Sequence, residues 1–119
     1  IETKSNGAPN LIFATPDQTV AEAFAKMNEF GVTQMPVLEE HSSVGSLKES
    51  GILTKLLQNR DLMNAKVSDV MDKSFPVLDV DASFNEIKLK LQKSPAVLIE
   101  DFKRITGIIT RTDVLELQQ

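Results

Sequence analysis

The stretch Thr106-Gly107-Ile108-Ile109-Thr110-Arg111-Thr112-Asp113 decides the fold, because the chain writes it twice. The other version is Val44-Gly45-Ser46-Leu47-Lys48-Glu49-Ser50-Gly51, 62 residues earlier. Both read as an apolar strand interrupted by a glycine and followed at once by a helix start. They differ where chemistry could sit. The hydroxyl of Thr110 and the carboxylate of Asp113 are replaced in the earlier version by Lys48 and Gly51. A repeat with one intact polar ending predicts two pseudo-equivalent clefts, only one of them fully equipped.

Working outward, the same grammar fills both copies. In the first, Leu11-Ile12-Phe13-Ala14 is a candidate strand and Thr15-Pro16-Asp17 a turn. Thr19-Val20-Ala21-Glu22 is a capping box, and Val20, Phe24, Met27 and Phe30 follow at helical spacing. Gly31 is placed to end that helix in the left-handed conformation. Strands are expected at Met35–Leu38 and Val44–Leu47, then a helix from Glu49 to Gln58. In the second copy, Phe75–Leu78 is a strand, and Ser83-Phe84-Asn85-Glu86 is another capping box. Phe84, Ile87 and Leu91 form its helical stripe. Strands at Ala96–Ile99 and Ile105–Ile109 and a helix from about Thr112 close the chain. The boxes lie 64 residues apart and the glycines 62, so the second copy is two residues shorter between them.

The expected fold is α/β in the α+β sense, with two pseudo-symmetric β-α-β-β-α repeats packed through their sheets. Residues 1–10 read as a linker and entry segment, 11–60 as the first repeat and 61–119 as the second. Each repeat holds too little apolar material to be comfortably stable alone, so the two are expected to share a core.

Composition removes several function classes. A net charge of −4 leaves no electrostatic footprint for a phosphate backbone, so nucleic acid is not an expected partner. No apolar run approaches the length of a membrane span, so no membrane partner is expected. With no cysteine there is neither a disulfide framework nor a thiolate nucleophile, which suits a cytoplasmic protein. His41, the only histidine, sits in a polar turn beside Glu39 and Glu40 and reads as a solvated loop residue. No metal-ligand spacing, nucleophile–base pair or Gly-rich phosphate loop appears, so no catalytic or metal residue is assigned. The first residue, Ile1, suggests a piece of a longer protein.

At this point the residues resemble the tandem cystathionine-β-synthase (CBS) domain, or Bateman module. The resemblance rests on Gly31-Val32-Thr33-Gln34-Met35-Pro36-Val37, on Val67-Ser68-Asp69-Val70-Met71 opening the second repeat, and on the Gly107–Asp113 ending. A narrower resemblance lies in Gly45–Leu53 and Gln34–Val37. These look like the C-terminal module of bacterial cystathionine-β-synthase-like enzymes, which use pyridoxal phosphate in sulfur amino-acid metabolism. It implies a catalytic parent domain, a lyase or synthase, and no catalysis by the module itself.

The resemblance further implies a regulatory ligand containing adenosine: AMP, ATP or S-adenosylmethionine. Asp113 would take the two ribose hydroxyls. Thr110 and the free N–H groups of the helix start would hold a phosphate, with Ile109 and Thr112 beside them. By resemblance, the adenine pocket would come from Ala8, Pro9 and Asn10 and from Val32, Thr33, Met35 and Pro36. Val32 and Pro36 would offer apolar faces, and backbone near Ala8 and Thr33 would read the ring edge. Read alone, Thr110-x-x-Asp113 is equally an ordinary helix N-terminus. The Lys48–Gly51 ending is expected to be empty or weak, with Gly51 letting another backbone come close. A rival reading is a structural homodimer through Ile52–Leu57 and Val114–Leu117, with no physiological ligand.

Overall fold

The computed structural model describes residues 11–117. The entry segment 1–10, with the expected ligand residues Ala8, Pro9 and Asn10, lies outside the described residues. The elements run α1 (Val20–Phe30), β1 (Gln34–Glu39), β2 (Ser42–Lys48), α2 (Glu49–Gln58), a 3-10 helix (Arg60–Asn64) and α3 (Val67–Val70). They continue as β3 (Val77–Asp79), α4 (Phe84–Leu91), β4 (Ala96–Asp101), β5 (Arg104–Thr110) and α5 (Arg111–Leu117). This is a mixed α+β architecture. Among the described residues the chain divides into two compact units, one spanning Phe13–Phe75 and the other made of the residues from Pro76 onward together with Leu11 and Ile12.

The repeat survives to the level of single hydrogen-bonded pairs. In the first unit β1 and β2 pair antiparallel, with Val37 opposite Gly45 and a bulge after Val37. In the second, β4 and β5 pair antiparallel, with Ile99 opposite Gly107 and a bulge after Ile99. The expected strand Leu11–Ala14 contracts to one parallel bridge, Ala14 to Val37. Its counterpart β3 keeps three parallel pairs with β4. Among the described residues, the first copy's strand is held by Ala14 N–H to the Pro36 carbonyl (3.0 Å) and Leu38 N–H to the Ala14 carbonyl (2.9 Å).

Helix starts follow the local chemistry. Thr19 and Glu22 form the reciprocal capping box, as do Ser83 and Glu86. Gly31 ends α1 at φ 65°, and Val32 N–H reaches back to the Met27 carbonyl at 3.0 Å. The α1 stripe is led by Val20, Ala23 and Met27, all buried, whereas Phe30 is half exposed. Phe84 at the start of α4 is also exposed, and Leu91 is the buried residue there. The 3-10 helix is absent from the periodicity because Arg60, Asp61 and Asn64 are polar and exposed.

Residues 65–73 are bonded into the first unit. Val20 N–H donates to the Ala65 carbonyl (2.9 Å), Val67 N–H to that of Gln18 (2.7 Å), and Ser68 N–H to that of Pro16 (3.1 Å). Further on, Ser46 and Asp72 exchange both backbone hydrogen bonds at 2.9 Å. Ser46, fully buried, also donates its hydroxyl to the Lys73 carbonyl at 2.6 Å. Met71–Lys73 is thus a strap along the outer edge of β2.

Both hairpins turn through two residues with positive φ: Glu40 and His41 (51° and 74°), then Phe102 and Lys103 (51° and 64°). This is the type I′ geometry that favours Asn-Gly, and no glycine is present to relieve it. Replacing Phe102-Lys103 by Asn-Gly should raise the unfolding free energy by about 1 kcal/mol, read from urea denaturation. Phe102 is almost fully exposed, so its side chain gives up little burial in the exchange.

Candidate functional site

β5 ends at Thr110, opposite Ala96, and α5 begins at the next residue. Across this junction Thr110 N–H donates to Asp113 Oδ2 at 2.9 Å, and Asp113 N–H donates to Thr110 Oγ1 at 3.4 Å. The two residues therefore cap their own helix in the same reciprocal way as Thr19 with Glu22. The Thr110 N–H, expected from sequence to be free for a phosphate, is used by Asp113. Capping does not exhaust either side chain. A carboxylate offers about four lone-pair positions, and one N–H takes one of them. The Thr110 hydroxyl accepts from Asp113 and can still donate its own proton. The junction thus presents a half-buried carboxylate of fixed orientation beside a hydroxyl donor. Such a pair suits a vicinal diol and an adjacent polar group. Ile109 is half-buried beside it and Thr112 is exposed.

Sequence reasoning missed Arg111. Its Nε donates to the Leu91 carbonyl at 2.7 Å, tying the start of α5 to the last turn of α4. A cation in the first turn of a helix opposes the helix dipole. That local mismatch was the readable signal that Arg111 serves a tertiary partner.

The remaining expected residues lie in the first unit. Val32 is half-buried and Thr33 exposed, just past the left-handed end of α1. The Thr33 carbonyl accepts Glu49 N–H at 3.0 Å, so one of its lone pairs serves the start of α2. Met35 and Pro36 are fully buried, and Pro36 shows no exposed ring face. Gln34, opposite Lys48 in the β1–β2 register, has a buried Oε1 with no hydrogen-bond partner among the described residues.

The first copy's ending differs more than its sequence suggested. α2 starts at Lys48 without a side-chain cap. Gly51 does not admit a backbone: the nearest atom to a Cβ there would be Asp72 Oδ2, at an ordinary 3.8 Å. The close approach is at Gly45, where a Cβ would collide with Met71 Sδ and lie 3.0 Å from the Asp72 carbonyl oxygen. His41 is exposed on its turn. Among the described residues no group of three or more His, Cys, Asp or Glu is placed to hold a metal ion. No helix of the structure is long and apolar enough to cross a membrane.

The repeated hairpins and matched endings find their counterpart among known proteins. The CBS domain matches residues 8–58 and again 67–119. The chain belongs to the CBS domain family. Two matches in one chain make it a tandem CBS pair, a regulatory module. An inosine-5'-monophosphate dehydrogenase of Staphylococcus haemolyticus is 31% identical over 96% of this CBS pair and 24% of its own length. A zinc metalloprotease of Methanocaldococcus jannaschii is 28% identical over 97% of the pair and 31% of its own length. The pair thus spans less than a third of each of these relatives. A CBS domain-containing protein of unknown function from Bacillus anthracis shares the fold at TM-score 0.81, with 22% identity over 91% of this chain and 83% of that one. An uncharacterized conserved protein from Pyrococcus horikoshii matches at TM-score 0.76, with 26% identity over 92% and 85%.

Proposed function

We propose that this CBS pair binds an adenosine-containing ligand, AMP, ATP or S-adenosylmethionine, and thereby regulates an attached enzyme. The observation that carries this is Asp113. Thr110 N–H holds one carboxylate oxygen at 2.9 Å, which orients the group and leaves acceptor capacity for a ribose diol. The Thr110 hydroxyl is the donor for a phosphate oxygen or for the carboxylate of S-adenosylmethionine. Val32 and Thr33 are the adenine-side residues with exposed surface. Ala8, Pro9, Asn10, Ile109 and Thr112 complete the assignment through the family resemblance, whereas the side chains of Met35 and Pro36, assigned by the same resemblance, are buried. The ligand regulates only by binding two states of the protein with different affinities.

The parent enzyme is part of the same proposal. The Gly45–Leu53 resemblance favours a pyridoxal-phosphate-dependent, cystathionine-β-synthase-like lyase or synthase of the cytoplasm. The curated relatives are a dehydrogenase and a metalloprotease. The sequence preceding Ile1 decides between them: a lysine-bearing pyridoxal-phosphate domain there supports the first, and any other enzyme removes it.

A second reading, a homodimerisation module without a ligand, is favoured by exposed leucines. Leu53 and Leu57 on α2 are 45% and 88% exposed, and Leu115 on α5 is 62% exposed. Ile52, expected on that surface, is buried and belongs to the core. Titration of the three ligands into wild type and Asp113→Asn separates the readings. Ligand binding that the substitution weakens supports the regulatory site. A dimer by sedimentation with no binding of any ligand supports the structural one.

A further inference from the structure

We propose that Asp72 is a built-in counter-ion that keeps the first unit's strand–helix junction closed to anionic ligands. The position equivalent to Asp113 in this unit is Gly51, which has no carboxylate to offer. The structure brings one from elsewhere. Asp72 Oδ2 lies 3.8 Å from where a Gly51 Cβ would be. The same oxygen is 3.9 Å from Lys48 Nζ, and Oδ1 is 3.5 Å from Lys55 Nζ. Lys55 also donates to the Val70 carbonyl at 3.0 Å, which fixes its ammonium beside the carboxylate.

The carboxylate is delivered by a rigid device, not by a wandering side chain. Asp72 is bonded to Ser46 through both its N–H and its carbonyl at 2.9 Å. The Ser46 hydroxyl holds the next carbonyl, that of Lys73, at 2.6 Å. Gly45 lets this strap lie flat on β2, because any side chain there would meet Met71 and Asp72.

The consequence is electrostatic. Lys48, Lys55 and the start of the ten-residue helix α2, which has no side-chain cap, would together attract an anion, against the single first-turn carboxylate of Glu49. A carboxylate within 4.0 Å of both ammonium groups offsets one of their two charges and so lowers the positive potential where an anion would sit. The carboxylate and ammonium groups are all partly exposed, so the ion pairs add little to stability. Their effect is on what the junction accepts. The second unit keeps its carboxylate on its own helix, bonded to the Thr110 N–H, whereas the first unit turns a borrowed one onto its own lysines.

The test follows the backbone amides of Ser50 and Gly51 by NMR while inorganic triphosphate is added to the whole chain at low ionic strength. Wild type should show no saturable shift at these amides. Asp72→Asn, which keeps the backbone bridge, should bind triphosphate there roughly tenfold more tightly. Asp72→Ser should give the same gain, and adding Lys48→Ala with Lys55→Ala should abolish it. Saturable binding at Ser50 and Gly51 in wild type, an unchanged affinity in both Asp72 variants, or a gain that survives loss of the lysines would each overturn the proposal. The readout is confined to α2, so the outcome is independent of whether Asp113 binds an adenosyl ligand.

Discussion

Gly45→Ala should lower the unfolding free energy by about 2 kcal/mol, while Gly107→Ala should change it by less than about 0.5 kcal/mol. The two glycines occupy the same place in the repeat, each opposite the residue before a bulge. Composition and backbone conformation cannot tell them apart. Their surroundings can. A Cβ at Gly107 would find Ile99 Cβ at 4.0 Å, an ordinary contact. A Cβ at Gly45 would strike the Met71 side chain and crowd the Asp72 carbonyl oxygen at 3.0 Å. Methionine can swing away, but the carbonyl belongs to a strap held by two backbone hydrogen bonds to Ser46. Met71→Ala in the Gly45→Ala background should therefore recover only part of the loss. Urea unfolding followed by circular dichroism measures all three. Equal losses at the two glycines would show that the strap is not packed on β2 as described.

Asp113→Asn should weaken adenosyl-ligand binding by roughly 30- to 100-fold while shifting the unfolding free energy by less than about 0.5 kcal/mol. The substitution separates the two roles of this residue. Asparagine keeps an oxygen of the same shape to accept Thr110 N–H, so the helix start stays closed. It loses the charge, and its second oxygen becomes an amide donor that cannot accept from a ribose hydroxyl. Two charge-assisted hydrogen bonds to a diol are then replaced by weaker or unfavourable contacts. Alanine would confuse the result, since removing the cap acceptor itself costs about 1 kcal/mol. Unchanged affinity in Asp113→Asn would leave the residue as a helix cap and nothing more.

What could be read from the sequence was what depends on near neighbours in the chain. Thr19 with Glu22 and Ser83 with Glu86 are capping boxes because each pair lies three residues apart. Gly31 ends α1 because only its own φ is in question. The helix Glu49–Gln58 and the core at Met27, Met35 and Val97 follow from period and hydrophobicity. The Thr110–Asp113 pair was visible for the same reason, and so was its ambiguity between a cap and a ligand site. Contacts between distant residues were not legible. The loss of strand pairing at Leu11–Phe13 depends on how the chain meets β1, which no local pattern states. The exposure of Phe30 and Phe84 depends on what each helix end happens to face. The strap at Met71–Lys73 joins residues more than 20 positions apart through backbone atoms, which carry no side-chain signature. The ion pair of Lys48 was illegible for the same reason, since its partner Asp72 is equally remote in sequence.

The central claim is that this CBS pair takes an adenosyl ligand, and isothermal calorimetry of the wild-type chain with AMP, ATP and S-adenosylmethionine tests it most directly. The predicted result is saturable heat with a defined stoichiometry for at least one of the three. Titrations into the millimolar range with no saturable heat from any of them would contradict the claim and leave a dimerisation module in its place.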